Sequence, residues 1–218
     1  MRYQRINLQG IPDNLVKEMA AINVPFPALT SLQLSSEADN HERFWEVMTL
    51  IFGESFLGGT APRLRSLDLR GISFPAPQKL LLSATDLVTL RLEHILLTGY
   101  IEPEDVVTFL STLTKLKEFA LGFQSKILIG LFLPKSRPLV PSTVLQLPAL
   151  TSFRFRGDDW YLEALITQIS LPLLDSLDVT LLSRQQANIP PLREFISDIE
   201  TRHMHDRADI SFTVTLST

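Results

Sequence analysis

One apolar phrase recurs along the 218-residue chain and constrains its fold more than any other feature. The phrase reads Leu-x-x-Leu-x-Leu, with Phe or Val in place of some later leucines. Its copies begin at Leu29, Leu64, Leu87, Leu116, Leu150 and Leu174. Successive copies start 35, 23, 29, 34 and 24 residues apart. Such periods are typical of repeat arrays, in which each unit buries its apolar side only against its neighbours.

The phrase predicts a strand, and the segments between the phrases predict helices. In each copy the last two apolar residues alternate with polar ones, as in a short strand with one buried face. The best helical segments are Glu42 to Phe52, Pro103 to Leu113, Asp159 to Ile169 and Pro191 to Thr201. A strand followed by a helix, repeated, favours a parallel sheet. We therefore expect an α/β fold, an irregular leucine-rich-repeat solenoid with the sheet on the concave face and the helices on the convex face.

Two of these boundaries have a specific chemical basis. Pro103 is followed by Glu104 and Asp105, and proline at a first helical position with acids in the first turn is a good helix start. Asp158 or Asp159 can cap the next helix through a side-chain oxygen.

The array is expected to occupy residues 1–218 as a single domain. Ile6 and Leu8 predict a first strand, followed by a helix over residues 13–21. Alternating apolar residues predict a closing strand over 209–216. The segment from about 124 to 146 carries several prolines and basic residues and predicts a long loop. Regular arrays place Asn or Cys just after the strand, and this chain does not, so uneven curvature is expected.

Composition excludes several classes of function. Cysteine is absent, which excludes disulfides, thiolate metal sites and cysteine nucleophiles. The net charge of −4 disfavours nucleic-acid binding, which usually needs a basic surface. The longest apolar run, Ile127 to Leu133, is far too short to span a bilayer. With no signal-peptide pattern and no Asn-x-Ser/Thr site, we expect an intracellular protein, cytoplasmic or nuclear, that needs no cofactor and binds no membrane.

Several stretches resemble a known family. They include Phe26-Pro-Ala-Leu-Thr-Ser-Leu-Gln-Leu-Ser-Ser36 and Leu147-Pro-Ala-Leu-Thr-Ser-Phe153. These look like the repeat region of the large F-box-like proteins of mushroom-forming fungi, over about Val24 to Ile196. In that family an F-box docks on the adaptor of a cullin ubiquitin ligase, and the repeats hold the protein to be ubiquitinated. Only one short helix fits before Phe26, so we expect no F-box in this chain.

The resemblance implies a protein-binding scaffold, the substrate-receptor half of a ubiquitin ligase subunit, monomeric and not an enzyme. One alternative is a truncated structural repeat fragment with no partner of its own. A second is a metal-dependent hydrolase using His203, His205 and Asp206, because the two histidines would share a face on a strand.

Polar residues that alternate with the buried leucines should line the concave face and contact a protein partner. The candidate contact residues are Gln33, Asp68, Arg70, Arg91, Glu93, Glu118, Arg154, Arg156 and Asp178.

Parallel stacking, with strands about 4.8 Å apart, predicts which of these residues are neighbours. Three pairs of opposite charge are expected: Asp68 with Arg91, Arg70 with Glu93, and Arg154 with Asp178. These pairs either neutralise each other, at roughly 0–1 kcal/mol each, or form a mixed-charge surface for a partner. Two charges, Glu118 and Arg156, are expected to lack an opposite charge on an adjacent strand. Ala120 and Gly122 should leave an uncharged gap that could seat a partner side chain.

Overall fold

A computed structural model describes residues 4–36, 56–72, 78–95, 99–124, 144–183 and 209–216, together with Leu192, Glu194, Phe195 and Ser197. The strands are β1 (Arg5–Ile11), β2 (Ser31–Ser36), β3 (Ser66–Arg70), β4 (Thr89–Ile95), β5 (Glu118–Phe123), β6 (Leu145–Gln146), β7 (Ser152–Gly157), β8 (Ile169–Ser170), β9 (Ser176–Ser183) and β10 (Asp209–Leu216). The helices are α1 (Asp13–Ala20), α2 (Gln78–Ser83), α3 (Pro103–Leu110) and α4 (Asp159–Ile166), with a 3-10 turn at Phe56–Gly59.

One large parallel sheet organises the described residues. It has eight strands in the order β1-β2-β3-β4-β5-β7-β9-β10, and every pairing in it is parallel. Strands β6 and β8 form a separate parallel pair. The predicted α/β class with a parallel sheet is therefore confirmed, as are the first and closing strands, which lie at the two edges of the sheet.

The first leucine of each phrase lies in a turn that leads into its strand. The Leu29 N–H donates to the Phe26 carbonyl over 3.0 Å, and the equivalent leucine in each of the other copies makes the same type of bond. The residue after this leucine links its copy to the next one through its backbone carbonyl. The Thr30 carbonyl accepts from the N–H groups of Arg65 (2.8 Å) and Ser66 (3.1 Å), and the equivalent carbonyls repeat this from copy to copy. Each copy thus fixes the register of the next.

This register stacks equivalent apolar side chains into two rows across β2 to β9. The first row contains Leu32, Leu67, Leu90, Phe119, Phe153 and Leu177. The second contains Leu34, Leu69, Leu92, Leu121, Phe155 and Val179. All are at most 2% exposed. A fully buried side chain of this kind contributes about 1.5–3 kcal/mol, so the two rows are the main source of cohesion between copies.

The starts of α3 and α4 follow the prediction, but both helices end earlier than predicted, α3 at Leu110 instead of Leu113. Pro103 begins α3, and the Asp158 side chain accepts a hydrogen bond from the Trp160 N–H at 2.9 Å to cap α4. The predicted helix through Ile169 is wrong in its last turn. Helix α4 ends at Ile166, and Ile169 pairs with Leu145 in the β6–β8 sheet. The last two residues of the predicted long loop are therefore strand.

Some predictions fall outside the described residues. They are the helix over 42–52, loop residues 125–143, and most of the helix over 191–201, of which Leu192, Glu194, Phe195 and Ser197 are helical. In the part of the chain that the structure describes, no helix has the length and apolar character needed to cross a bilayer.

An aromatic cluster joins the sheet to α4. The Tyr161 ring contacts Phe123 edge-on, with centroids 4.8 Å apart, and lies 5.9 Å from Phe155. Its hydroxyl donates to the Ile101 carbonyl at 2.7 Å. Burial raises the pKa of Tyr161 well above its ordinary value, so the hydroxyl stays protonated and keeps donating. This bond ties α4 to the segment that precedes α3.

Replacing Tyr161 with Phe should destabilise the fold by about 1–3 kcal/mol, because the Ile101 carbonyl would lose its buried partner. Tyr100→Phe is the matched control. Its hydroxyl bonds to exposed Glu102 at 3.3 Å, and water can replace it, so the change should stay within about 0.5 kcal/mol. Urea unfolding followed by circular dichroism measures both. Equal losses of unfolding free energy would show that the buried Tyr161 hydrogen bond contributes no more than the exposed Tyr100 one.

Candidate protein-binding face

The side of the sheet opposite the two apolar rows carries the polar residues of the phrase. We call it the polar face. In β2 to β9 its charged residues are Asp68, Arg70, Arg91, Glu93, Glu118, Arg154, Arg156 and Asp178. Most of the polar positions on these strands are half-buried or exposed. Gln33, another predicted contact residue, is half-buried and lies between Asn7 and Asp68 in register.

The predicted in-register pairs are present. Asp68 is opposite Arg91, with Oδ2 and Nη1 4.0 Å apart. Arg70 is opposite Glu93, with Nη2 and Oε2 3.3 Å apart. On the same face, nearer the β10 edge of the sheet, Arg154 Nε donates to Asp178 Oδ2 at 3.0 Å. Adjacent strands therefore pair opposite charges as the register requires.

The prediction for Glu118 was wrong. Its register partner is Thr89, but the longer Arg91 side chain reaches diagonally and donates from Nη2 to Glu118 Oε2 at 2.9 Å. A second diagonal ion pair joins two strands that are not neighbours. Arg154 Nη1 of β7 lies 3.5 Å from Glu93 Oε1 of β4, with β5 between them. On β5, Ala120 stands between Arg91 and Arg154 in register and is only 4% exposed. The Ala120 half of the predicted gap is therefore covered.

These contacts join into one network across the sheet. Arg70 also binds Asp68 on its own strand, with Nε and Oδ1 3.1 Å apart. At the far end, the Ser211 hydroxyl of β10 donates to Asp178 Oδ1 at 3.0 Å. Within the described ranges, Asp68 is the buried charged residue, at 7% exposure. Its carboxylate forms ion pairs with both Arg70 and Arg91. This part of the network therefore lies where solvent screens the charges least.

Arg156 is different. It is exposed, its register neighbours are Gly122 and Thr180, and it makes no ion pair with any residue that the structure describes. This matches the prediction that Arg156 lacks an opposite charge beside it. Among the arginines of β2 to β9 on the polar face, it is the one outside the described network.

A small pocket of about 210 Å³ opens beside Arg156. Its floor is the strand backbone at Gly122, which has no side chain to fill the space. The walls are Glu93 and His94 from β4, Arg154 and Arg156 from β7, and Asp178 and Thr180 from β9. The Gly122 half of the predicted gap is thus an unfilled pocket with side chains of neighbouring strands around it.

His94 was missed as a residue of this site. It directly follows Glu93, so it breaks the alternation that marked the other candidates. The pairing of β4 with β5 shifts between Leu92 and Ile95, and His94 adopts a left-handed φ of 55°. Burial lowers the pKa of His94, and the positive charge of Arg156 lowers it further. The imidazole is therefore mainly neutral at pH 7.

No group of three or more His, Asp or Glu side chains in the described ranges is arranged to hold a metal ion. The proposed hydrolase residues His203, His205 and Asp206 lie outside those ranges.

Asp68→Asn should destabilise the fold by about 1.5 kcal/mol or more, because a buried acceptor of charged hydrogen bonds loses its charge. Glu118→Gln removes a charge from the same network at a side chain that is 46% exposed, and should cost roughly 0–1 kcal/mol. Urea unfolding of both variants gives the comparison. A larger loss of unfolding free energy for Glu118→Gln than for Asp68→Asn would mean that burial does not decide how much each carboxylate contributes to stability.

The left-handed backbone at His94 gives a second prediction. His94→Ala and His94→Gly both remove the imidazole, but only glycine adopts this φ without strain. His94→Gly should therefore be more stable than His94→Ala by about 1 kcal/mol in thermal or urea unfolding. An alanine variant as stable as the glycine variant would contradict the left-handed assignment.

Comparisons of the chain with protein-family models, with curated proteins and with solved structures find no match. The polar face is therefore the feature of the molecule that bears on its function.

Proposed function

We propose that the chain is an irregular leucine-rich-repeat solenoid that works as a protein-binding scaffold. In this proposal it corresponds to the substrate-receptor half of an F-box-type ubiquitin ligase subunit and is not an enzyme. The polar face is the contact surface for the protein partner.

The repeat assignment is supported by the hydrogen bonds between copies. The carbonyls of Gln4, Thr30, Arg65 and Val88 each accept two N–H groups from the next copy, and those of Lys117 and Thr151 continue the series. Equivalent residues of successive copies therefore pair with each other, although the copies are unequally spaced along the chain. Such nearest-neighbour stacking is what repeat arrays have in common.

The observation that carries the functional proposal is the exposure of the polar face. All-parallel sheets normally have both faces covered, and their strands are then apolar on both sides. Here β2, β4 and β7 have one side that is apolar and buried, and another side whose polar residues mostly remain accessible. An accessible face of fixed geometry is suited to bind another protein, and its paired charges would disfavour partners with the wrong charge pattern.

The experiment maps which face meets a partner. A photo-reactive amino acid is placed at Gln33 or Thr180 on the polar face, and at Thr108, an exposed position on α3, as the matched control. Irradiation in the source cells should yield the same captured protein from Gln33 and Thr180 and not from Thr108. Capture through Thr108 alone, or through none of the three, would contradict binding by the polar face.

A charge variant makes this test more specific. Arg156→Glu changes the polar face without breaking an ion pair in the described network, whereas reversing Arg91 or Arg154 would place like charges together. We expect Arg156→Glu to reduce capture through Thr180 by roughly fivefold or more, as loss of a charged contact does. Unchanged capture would show that the partner does not touch this end of the face.

The ligase assignment needs a separate measurement. If the chain presents substrates for ubiquitination, the captured protein should become more abundant when the chain is depleted, and its ubiquitin conjugates should decrease. A captured protein with unchanged level and unchanged conjugates would leave a scaffold with no link to ubiquitination.

A further inference from the structure

The pocket beside Arg156 exists because one position on the polar face has no side chain. A Cβ built on Gly122 would meet its nearest neighbour, the Cβ of Arg156, at 3.5 Å, which is an ordinary contact. Backbone geometry therefore does not demand glycine here. The missing side chain leaves a space walled by residues of three strands.

The size of this space suits one side chain. A volume of about 210 Å³ is below the usual range of small-molecule pockets, roughly 300–1,000 Å³. It corresponds to about seven water molecules at roughly 30 Å³ each. A partner could therefore place a single side chain in it, with the rest of the partner lying on the polar face.

The charges around the pocket select the kind of side chain. Both carboxylates in its wall already interact with Arg154, which lies 3.5 Å from Glu93 and donates to Asp178 at 3.0 Å. Glu93 also faces Arg70 at 3.3 Å. The positive charge of Arg156 has no such counterpart among the described residues. An incoming carboxylate would find a cation available, whereas an incoming ammonium group would compete with arginines already in place.

We propose that the pocket seats a glutamate or aspartate side chain of the protein partner. Its carboxylate pairs with the Arg156 guanidinium, whose planar fork can bind both carboxylate oxygens. Thr180 and His94 line the same pocket, and a threonine hydroxyl can donate a further hydrogen bond to the carboxylate. This inference rests on the proposed function, since it takes the polar face to be the partner-binding surface.

The probe is N-acetyl-glutamate α-amide, titrated into the full chain labelled with ¹⁵N. We expect saturable shifts of the backbone amide signals of His94, Gly122 and Thr180. N-acetyl-glutamine α-amide has nearly the same shape without the charge, and N-acetyl-lysine α-amide carries the opposite charge. Neither should produce saturable shifts at these residues. An equal response to the glutamine compound, or a stronger one to the lysine compound, would overturn the proposal.

Two variants test the site itself. Arg156→Gln should weaken binding of the glutamate compound by roughly tenfold or more. Gly122→Thr should block the pocket while leaving Arg156 in place. Lys115→Gln is the matched control, because Lys115 pairs with Asp86 at the turns that precede the strands and not on the polar face. Binding that survives Arg156→Gln, or that Lys115→Gln weakens equally, would refute the assignment. If Gly122→Thr does not fold, Arg156→Gln decides.

The outcomes separate this inference from the proposed function. If the glutamate compound does not bind but Gln33 and Thr180 still capture a partner, the carboxylate pocket is refuted and the polar-face scaffold stands. If the compound binds and no partner is captured through the polar face, the pocket stands as a carboxylate site and the scaffold proposal fails.

Discussion

The fold depends on one repeated interaction, a carbonyl that accepts two N–H groups from the next copy of the phrase. The Thr30 carbonyl does this with Arg65 and Ser66, and the Arg65 carbonyl does it with Val88 and Thr89. The accepting carbonyl lies just before its strand begins, so this backbone bond fixes the register in which adjacent strands pair. Since a slip by one residue would exchange the buried and exposed faces, this constraint decides where every later side chain points.

Register then determines both faces of the sheet at once. On one face it stacks Leu34 on Leu69 and Leu92, which removes apolar surface from water regardless of how many residues separate the copies. On the other it places Asp68 beside Arg91. The unequal intervals between copies are absorbed outside the strands, where a 3-10 turn stands between β2 and β3 and a helix between β4 and β5. The charged network is therefore a consequence of the same alignment that builds the core.

This alignment could be predicted from the sequence because the signals for its strands and helices are local. The alternation around Leu32 and Leu34 predicts the strand, and proline followed by acids at Pro103 predicts the helix start. Sequence prediction failed where the deciding fact was not periodic. The Ile169 strand has only two residues, too few to show alternation, and it forms because β6 lies beside it. The Arg91–Glu118 contact depends on side-chain reach rather than register. His94 forms a wall of the pocket, and it lies where the irregular pairing breaks the pattern that identified the other candidates.

The self-paired network has a consequence for recognition. Exposed ion pairs contribute little stability, roughly 0–1 kcal/mol each, so the face is not held together mainly by its charges. Their mutual pairing instead limits what a partner can gain. A partner charge placed over Arg91 must compete with Glu118, and one placed over Arg154 must compete with both Glu93 and Asp178. At Arg156 an incoming acid adds an interaction without displacing one in the described network. Most of the described charges on this face are paired, and Arg156, which makes no ion pair with a described residue, lines a pocket the size of a side chain. Such a surface can select a partner by the placement of a single carboxylate.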